Sequence, residues 1–121
     1  MPSSVINLAE KFALFNDQWS PKVIAELNDI QFKVARLEGE FVWHNHADTD
    51  EAFIVMQGEL TIKMHDGDVV IPAGSMYVVP KGVEHQPVAT EECLVMIIEP
   101  RGVVNTGEAG GDKTAPNDIW I

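Results

Sequence analysis

The chain has 121 residues, with 8 basic and 19 acidic side chains and a formal net charge of −11. This length suits one domain, and an acidic chain repels phosphate groups, so we expect neither nucleic acid nor an anionic membrane as a partner. Apolar residues make up 45% of the chain, which is too many for a disordered acidic tail and enough for one packed core.

The sequence predicts neither export nor membrane insertion. The longest apolar run, residues 93–98, is far too short to cross a bilayer. The N-terminal residues lack the basic end and the long apolar stretch of a secretory signal. Cys93 is the only cysteine, so it cannot form an internal disulfide, and we expect a cytoplasmic protein.

The first predicted element is a helix, because apolar side chains near the N-terminus recur at helical spacing. The stripe consists of Val5, Leu8, Ala9, Phe12 and Phe15. Asn7 followed by Glu10 resembles a capping box at the start of this helix. We expect residues 1–20 to form a helical segment that packs on the domain that follows.

From residue 21 onward the apolar residues alternate with polar ones, which is typical of β-strands. Strand-like runs are predicted at 22–27, 30–34, 51–57, 59–64, 69–71, 76–79 and 93–99. Glycine-containing turns separate most of them at spacings of roughly 8 to 12 residues, and no helix-length pattern intervenes. We therefore predict an all-β antiparallel barrel over residues 21–102. Residues 103–121 are predicted to be a partly flexible tail whose apolar end docks.

Two of the strand-like runs, 52–56 and 94–98, are apolar on both faces. One face of each run must line the barrel, and the other face needs a cover. The N-terminal helix and the termini are one candidate cover, and a second copy of the chain is the other. This pattern is one reason to expect a homodimer.

Three histidines and one glutamate form a candidate metal site. His44 and His46 are two residues apart, so both side chains point to one face of an extended segment. Glu51 starts the next strand-like run, and His85 follows the turn at residues 80–82. Neutral imidazoles and a carboxylate suit one divalent transition metal, such as iron, manganese, nickel or zinc. A chance pair of histidines on a surface strand is the competing interpretation.

The glycines and prolines around these residues are similar to the two motifs of the cupin superfamily of small β-barrels. The chain has Gly39-x₄-His44-x-His46-x₄-Glu51-x₆-Gly58 and Gly74-x₅-Pro80-x-Gly82-x₂-His85. It departs from the family pattern by one residue fewer after Gly39 and by Ala89 where the family often has Asn. The resemblance implies a small jelly-roll barrel of bacterial type, a homodimer, and His44, His46, Glu51 and His85 as metal ligands.

Arg36, Phe53 and Val55 are candidates for the wall of a ligand pocket. Phe53 and Val55 share one side of their strand with Glu51, although core packing explains them equally well. Arg36 shares the parity of the apolar residues in its own run, and in the barrel it would clamp a carboxylate or phosphate group. An arginine on the rim is the competing interpretation.

Several functions are compatible with such a site. A metal with open coordination positions polarises a carbonyl, stabilises an enolate or binds dioxygen. Cupins similar to this chain include sugar-phosphate isomerases and dioxygenases, so the resemblance implies a metalloenzyme acting on a small oxygen-bearing molecule. One alternative is a metal-dependent module that binds or senses a small, sugar-like ligand without turnover, and another is a barrel with a structural metal. The sequence pattern places no second acid or base in the pocket.

Overall fold

The computed structural model describes residues 4–121, which form an antiparallel β-barrel of the jelly-roll type with one short helix before it. The elements are α1 (Leu8–Phe12), β1 (Lys22–Leu27), β2 (Ile30–Glu40), β3 (Glu51–Gln57), β4 (Glu59–Met64), β5 (Gly67–Pro72), β6 (Met76–Val79) and β7 (His85–Pro100). Each predicted strand-like run lies within one of these strands, so the predicted all-β barrel is confirmed.

Helix α1 has the predicted cap but is shorter than the predicted segment. The side-chain oxygen of Asn7 accepts a hydrogen bond of 2.9 Å from the backbone nitrogen of Glu10. The helix ends at Phe12, because the chain beyond it is held by β2 instead. There the guanidinium group of Arg36 donates to the carbonyl oxygens of Phe12 and Phe15. Within residues 4–121 no helix is long and apolar enough to span a membrane.

Strand β7 organises the barrel because it pairs with three other strands. Its residues 85–88 pair with β4, which also pairs with β5. Residues 94–98 pair with β3, and residues 93–100, together with 88 and 89, pair with β2. Strands β1 and β6 complete the order β1-β2-β7-β3-β6. As a result His85, the first residue of β7, and Glu99, near its end, are both buried in one barrel.

Side chains of two kinds fill the interior. The apolar cluster contains Ala35, Leu37, Phe53, Val55, Leu60, Ile62, Ile71, Val79, Ala89, Cys93, Val95 and Ile97. Among residues 4–121 the buried polar and charged residues are Gln31, Lys33, His44, His46, Glu51, His85, Glu99 and Thr106. Along β7 the inward positions pass from Val95 through Ile97 to Glu99, so the interior changes from apolar to polar along the strand.

The inward face of β2 is the opposite of the face that the sequence pattern predicted. Ala35 and Leu37 belong to the interior cluster, and Lys33 shares their parity. Val34 instead packs outside the barrel against Phe12. The reason is that α1 covers the outer face of β2, so apolar residues are buried there too and alternation alone does not identify the interior.

The outer surface of the barrel is covered on one side. Phe12 and Ile121 pack over β1 and β2, and the backbone of Ile121 donates to the carbonyl of Val23 at 3.1 Å. On strand β6, Met76 and Val78 are 57% and 45% exposed, and on the neighbouring strand β3 Met56 is 40% exposed. The described part of the chain therefore leaves an apolar surface on β3 and β6.

Residues 103–118 contain neither helix nor strand, but their side chains form a packed loop. The amide of Asn105 donates to the carbonyl oxygens of Trp19 and Lys113 at 3.0 Å each. Thr106 is fully buried, and its hydroxyl lies 2.8 Å from the hydroxyl of Thr114. Two of these contacts lie within the loop, and the one with Trp19 joins the loop to the segment before β1.

Candidate metal centre

Four side chains meet at the polar end of the barrel, namely His44, His46, Glu51 and His85. All are buried, and one ligand atom from each lies within 4.8 Å of the others. Both histidines of the first pair lie between β2 and β3, Glu51 begins β3, and His85 begins β7. The structure therefore brings together all four residues that the sequence predicts as ligands.

Backbone hydrogen bonds fix the histidine segments to one another. His44 and His85 form an antiparallel bridge, with nitrogen-to-oxygen distances of 3.0 and 2.9 Å. The backbone nitrogen of Gly82 donates to the carbonyl of His46 at 2.9 Å. Gly82 has a φ of +77°, a conformation that costs glycine little. The turn after β6 thus fixes the backbone of His46 and leads directly to His85.

The ring orientations of two histidines follow from their hydrogen bonds. The Nδ1 atom of His44 lies 2.9 Å from the carbonyl oxygen of Val42, and that of His85 lies 2.9 Å from the carbonyl of Val83. A carbonyl oxygen only accepts, so each Nδ1 carries the proton and donates it. Each Nε2 is then unprotonated and carries a free lone pair, and a metal ion binds the imidazole through this atom.

Three ligand atoms are buried and have no hydrogen-bond partner in the described part of the chain: Nε2 of His46, Nε2 of His85 and Oε1 of Glu51. Both nitrogens lie 3.4 Å from this oxygen, farther than the roughly 2.7–2.9 Å of a charge-assisted hydrogen bond. Leaving such an atom unpaired costs about 1–3 kcal/mol. A divalent cation between them would satisfy all three atoms, so the donor set fits a metal ion.

Electrostatics hold two of the four residues, His44 and Glu51, in their metal-binding forms. Burial lowers the pKa of His44 to about 4, against the opposing hydrogen bond to Val42, so the ring is neutral at neutral pH. Burial by itself raises the pKa of Glu51, but the imidazoles of His46 and His85 outweigh it and hold that pKa below its usual range. A neutral imidazole and an ionised carboxylate are the forms that ligate cations.

A cavity of about 30 Å³ lies beside the cluster, with His44 and Glu51 in its wall. This is room for one or two water-sized groups. Phe53, a predicted pocket residue, also lines the cavity. Val55 is fully buried in the apolar cluster instead.

Arg36 does not reach this cavity, so the clamp predicted for it is wrong. Its guanidinium group lies on the outer face of β2, where it donates to Phe12 and Phe15 and pairs with Glu92 at 2.9 Å. The prediction failed because it assigned the apolar face of β2 to the interior. Arg36 instead ties the N-terminal segment to the barrel.

The sequence pattern missed a buried ion pair at the site. The ammonium group of Lys33 lies 2.7 Å from Oε2 of Glu99, with 4% and 2% of the two side chains exposed. Glu99 lines the same cavity as Glu51. Burial raises the pKa of Glu99 to about 8, with a contribution from the Glu51 carboxylate and opposition from Lys33. Alternation along β7 is the sequence signal that could have identified Glu99, because it follows the inward positions Val95 and Ile97 at the same spacing of two residues.

The fold and the four-residue cluster define a small β-barrel protein with a candidate metal site. The family model described as Cupin domain matches residues 32–99, which is more than half of the chain. The chain belongs to the cupin family.

Solved structures agree with this assignment. A cupin-2 domain containing protein from Shewanella frigidimarina NCIMB 400 is 65% identical, covers 80% of this chain and 95% of its own, and has a TM-score of 0.79. A protein from Neisseria meningitidis is 31% identical, covers 80% and 99% of the two chains, and has a TM-score of 0.74.

Among curated proteins, the uncharacterised Bacillus subtilis protein YdbB is 42% identical over 64 residues. The match covers 52% of this chain and 57% of the length of YdbB. The chain therefore spans little more than half of this relative.

Proposed function

We propose that this protein is a metalloenzyme that binds one divalent transition metal and acts on a small oxygen-bearing molecule, with isomerase-like or dioxygenase-like chemistry. The observation that carries the proposal is the convergence of three buried, unpartnered ligand atoms from His46, Glu51 and His85. When bound, the metal would supply a Lewis acid or a redox centre at the cavity.

The residues of the chain have separate roles in this proposal. His44, His46, Glu51 and His85 hold the ion, and three neutral imidazoles with one carboxylate leave a net charge of about +1 on a divalent cation. An octahedral ion would keep two positions for a ligand. Phe53 and the neighbouring apolar residues line the cavity and would limit the number of water molecules around a bound ligand.

Metal content is the decisive measurement. Protein without an affinity tag, purified without added metal, is analysed by mass spectrometry beside His46→Ala and the matched control His65→Ala. His65 is exposed and outside the cluster, so its variant is expected to hold metal as the wild type does. The His46→Ala variant is expected to bind Co²⁺ at least about 100-fold more weakly, because it loses a direct ligand.

Two results would contradict the metal site. One is wild-type protein that binds no divalent ion near neutral pH, and the other is an equal loss of binding in His46→Ala and His65→Ala. The identity of the ion separates the chemistries, since iron favours oxygen chemistry, whereas manganese or zinc favours isomerase chemistry.

The size of the cavity bears on the non-catalytic alternative, a module that binds a sugar-like ligand. A volume of about 30 Å³ holds water-sized groups, so in this conformation only one end of a sugar or of another small ligand would enter it. Equilibrium dialysis of the metal-loaded protein against common monosaccharides tests this. Tight sugar binding without turnover would replace the enzyme proposal.

The proposal includes a homodimer formed through the apolar surface of β3 and β6. Met76 and Val78 on this surface are exposed, and monomers seldom leave such a face uncovered. Sedimentation should give a dimer at micromolar concentration. Val78→Glu should shift it toward monomer, whereas Leu27→Glu, at an exposed apolar residue of β1, should not. A monomeric wild type would remove this part of the proposal.

We also propose a cytoplasmic location, because the single thiol, Cys93, is buried and unpaired and a reducing compartment suits it. Burial raises the pKa of this thiol to about 12, so it stays protonated and unreactive. Fractionation of the native host tests the location, and recovery outside the cytoplasm would contradict it.

A further inference from the structure

Packing of the barrel alone does not explain the buried pair of Lys33 and Glu99. Burying two charges carries a desolvation penalty that one contact seldom offsets, and apolar residues of similar volume often serve stability equally well. The pair lies 2.7 Å apart with both side chains almost fully enclosed. Lys33 also approaches the carbonyl of Val103 at 3.4 Å. This arrangement holds Glu99 in one orientation.

Within residues 4–121, only one carboxylate oxygen of Glu99 has a hydrogen-bond partner. Oε2 accepts the hydrogen bond from Lys33, whereas Oε1 is buried without any partner. In the antiparallel register Ala52 lies opposite Ile98, so Glu51 and Glu99 are neighbours one position further along. Both line the same cavity. Glu99 therefore lines the cavity that adjoins the candidate ligand atoms and keeps one buried carboxylate oxygen that is available to a ligand group entering there.

The charges around the cavity restrict its occupant. Glu51 and Glu99 are both acidic, and the ammonium group of Lys33 is already paired with Glu99. A phosphate or a dicarboxylate would face these two acids without a free cation from the wall. A hydroxyl group both donates and accepts a hydrogen bond, so it matches Oε1 whether or not Glu99 carries a proton.

We propose that Glu99, oriented by Lys33, contacts the ligand directly and selects a small molecule that presents a hydroxyl group beside its metal-binding group, with at most one negative charge. Hydroxy acids and hydroxy ketones of two or three carbons belong to this class. The inference rests on the proposed metal function, because the metal supplies the second anchor of the ligand.

Glycolate and acetate test the proposal because they differ by one hydroxyl group and carry the same charge. The affinity of Co²⁺-loaded protein for each is measured by the visible spectrum of the ion. The ratio of the two affinities is compared between wild type and the double variant Lys33→Met with Glu99→Met, in which apolar side chains of similar length replace the pair. The intrinsic preference of Co²⁺ for glycolate cancels in this comparison.

We expect the preference for glycolate to fall about tenfold in the double variant, the effect of losing one hydrogen bond to the buried carboxyl group. Co²⁺ affinity should change less than about threefold, because neither residue is a ligand. Glu99→Gln keeps the shape but not the charge and should lose about threefold, which covers the case of a double variant that fails to fold. Glu59→Gln, exposed on β4, is the matched control and should keep the wild-type ratio.

An unchanged ratio in both variants would show that the pair is only structural. A loss of Co²⁺ affinity in Glu99→Gln as large as that in His46→Ala would make Glu99 a metal ligand and also overturn the proposal. If wild-type protein binds no Co²⁺, the proposed function fails and this inference falls with it. The first two failures appear only in protein that binds the metal, so the two proposals fail in distinguishable ways.

Discussion

The two halves of the barrel interior are equally closed to solvent but differ in chemistry. Leu60 and Ile62 in the apolar half are fully buried, and so is His85 in the polar half. In the apolar half each large side chain contributes about 1.5–3 kcal/mol to the free energy of folding. In the polar half several atoms are buried without a partner, and each opposes folding by about 1–3 kcal/mol.

This difference shows what each half contributes to the molecule. Both halves lie on the same strands, since β3 runs inward from Glu51 to Val55 and β7 runs from Val95 to Glu99. The apolar half stabilises the strands, and the same strands hold the polar half in a geometry that would not persist alone. Substitutions in the apolar half are therefore expected to change stability, and substitutions in the polar half to change metal binding.

The largest expected effect is on stability alone. Leu60→Ala in the apolar half should lower the free energy of unfolding by about 3 kcal/mol, because it removes buried methyl groups and leaves a cavity. Co²⁺ affinity of the folded variant should stay near the wild-type value. Urea denaturation and metal titration measure the two quantities. Val70→Ala, at a residue 55% exposed on β5, is the control and should change neither.

The next effect is stabilisation by bound metal, which would offset the free-energy cost of the unpartnered atoms in the polar half. At a Co²⁺ concentration 100 times its dissociation constant, the free energy of unfolding should rise by about 2.7 kcal/mol. The gain should be absent in His46→Ala, which loses a ligand, and present in His65→Ala. Thermal melts with and without Co²⁺ measure it. Equal stabilisation of His46→Ala would place the bound ion elsewhere on the protein.

Much of the fold and of the candidate ligand set could be predicted from the sequence, because the signals are local. Most strand-like runs show their own alternation, and glycine-containing turns separate most of them. His44 and His46 share a face at a separation of two residues, and the motif spacing links them to Glu51 and His85. Such features need no knowledge of which strands pack together.

The role of β2 could not be predicted, because it depends on what covers the strand. Val34 and Arg36 share one face, and only the position of α1 shows that this face is outside. The ion pair of Lys33 and Glu99 was missed for the same reason. The two residues are 66 positions apart, and their meeting depends on the pairing of β2 with β7.

A smaller effect concerns the acid sensitivity of the polar half without metal. The pKa of His44 is lowered to about 4 by burial, below the unfolded value of 6.5. The unfolded chain therefore binds more protons between these values, and His44 contributes stability that is lost as the pH falls from 6.5 toward 4. From pH 7 to pH 5 this loss amounts to about 2 kcal/mol.

The effect of His44 must be measured by difference. The raised pKa of Glu99 acts in the opposite direction, because stability from that group is lost as the pH rises from 4.5 toward 8. We therefore compare the urea stability of chelator-treated wild type and His44→Gln at both pH values. The variant should lose about 2 kcal/mol less on acidification, and His65→Gln should behave as wild type. Parallel losses in wild type and His44→Gln would contradict the assignment.

The smallest effect tests whether the loop of residues 103–118 supports the polar half. Gly107 has a φ of +57°, and a Cβ there would clash with the carbonyl oxygen of Asn45 and lie 3.4 Å from Nδ1 of His46. Gly107→Ala should therefore cost about 1 kcal/mol more than Gly110→Ala, which has a similar φ of +65° and open space around it.

The same two variants also distinguish backbone strain in the loop from a role of the loop in positioning the metal ligands. Because the added methyl group of Gly107→Ala displaces the segment that carries His46, Co²⁺ affinity should fall about tenfold, as expected when the surroundings of a ligand are disturbed. In Gly110→Ala the affinity should be unchanged, since only the backbone penalty of a left-handed alanine applies. Equal affinities in the two variants would mean that the loop packs against the polar half without positioning its ligands, and that the strands alone hold the site.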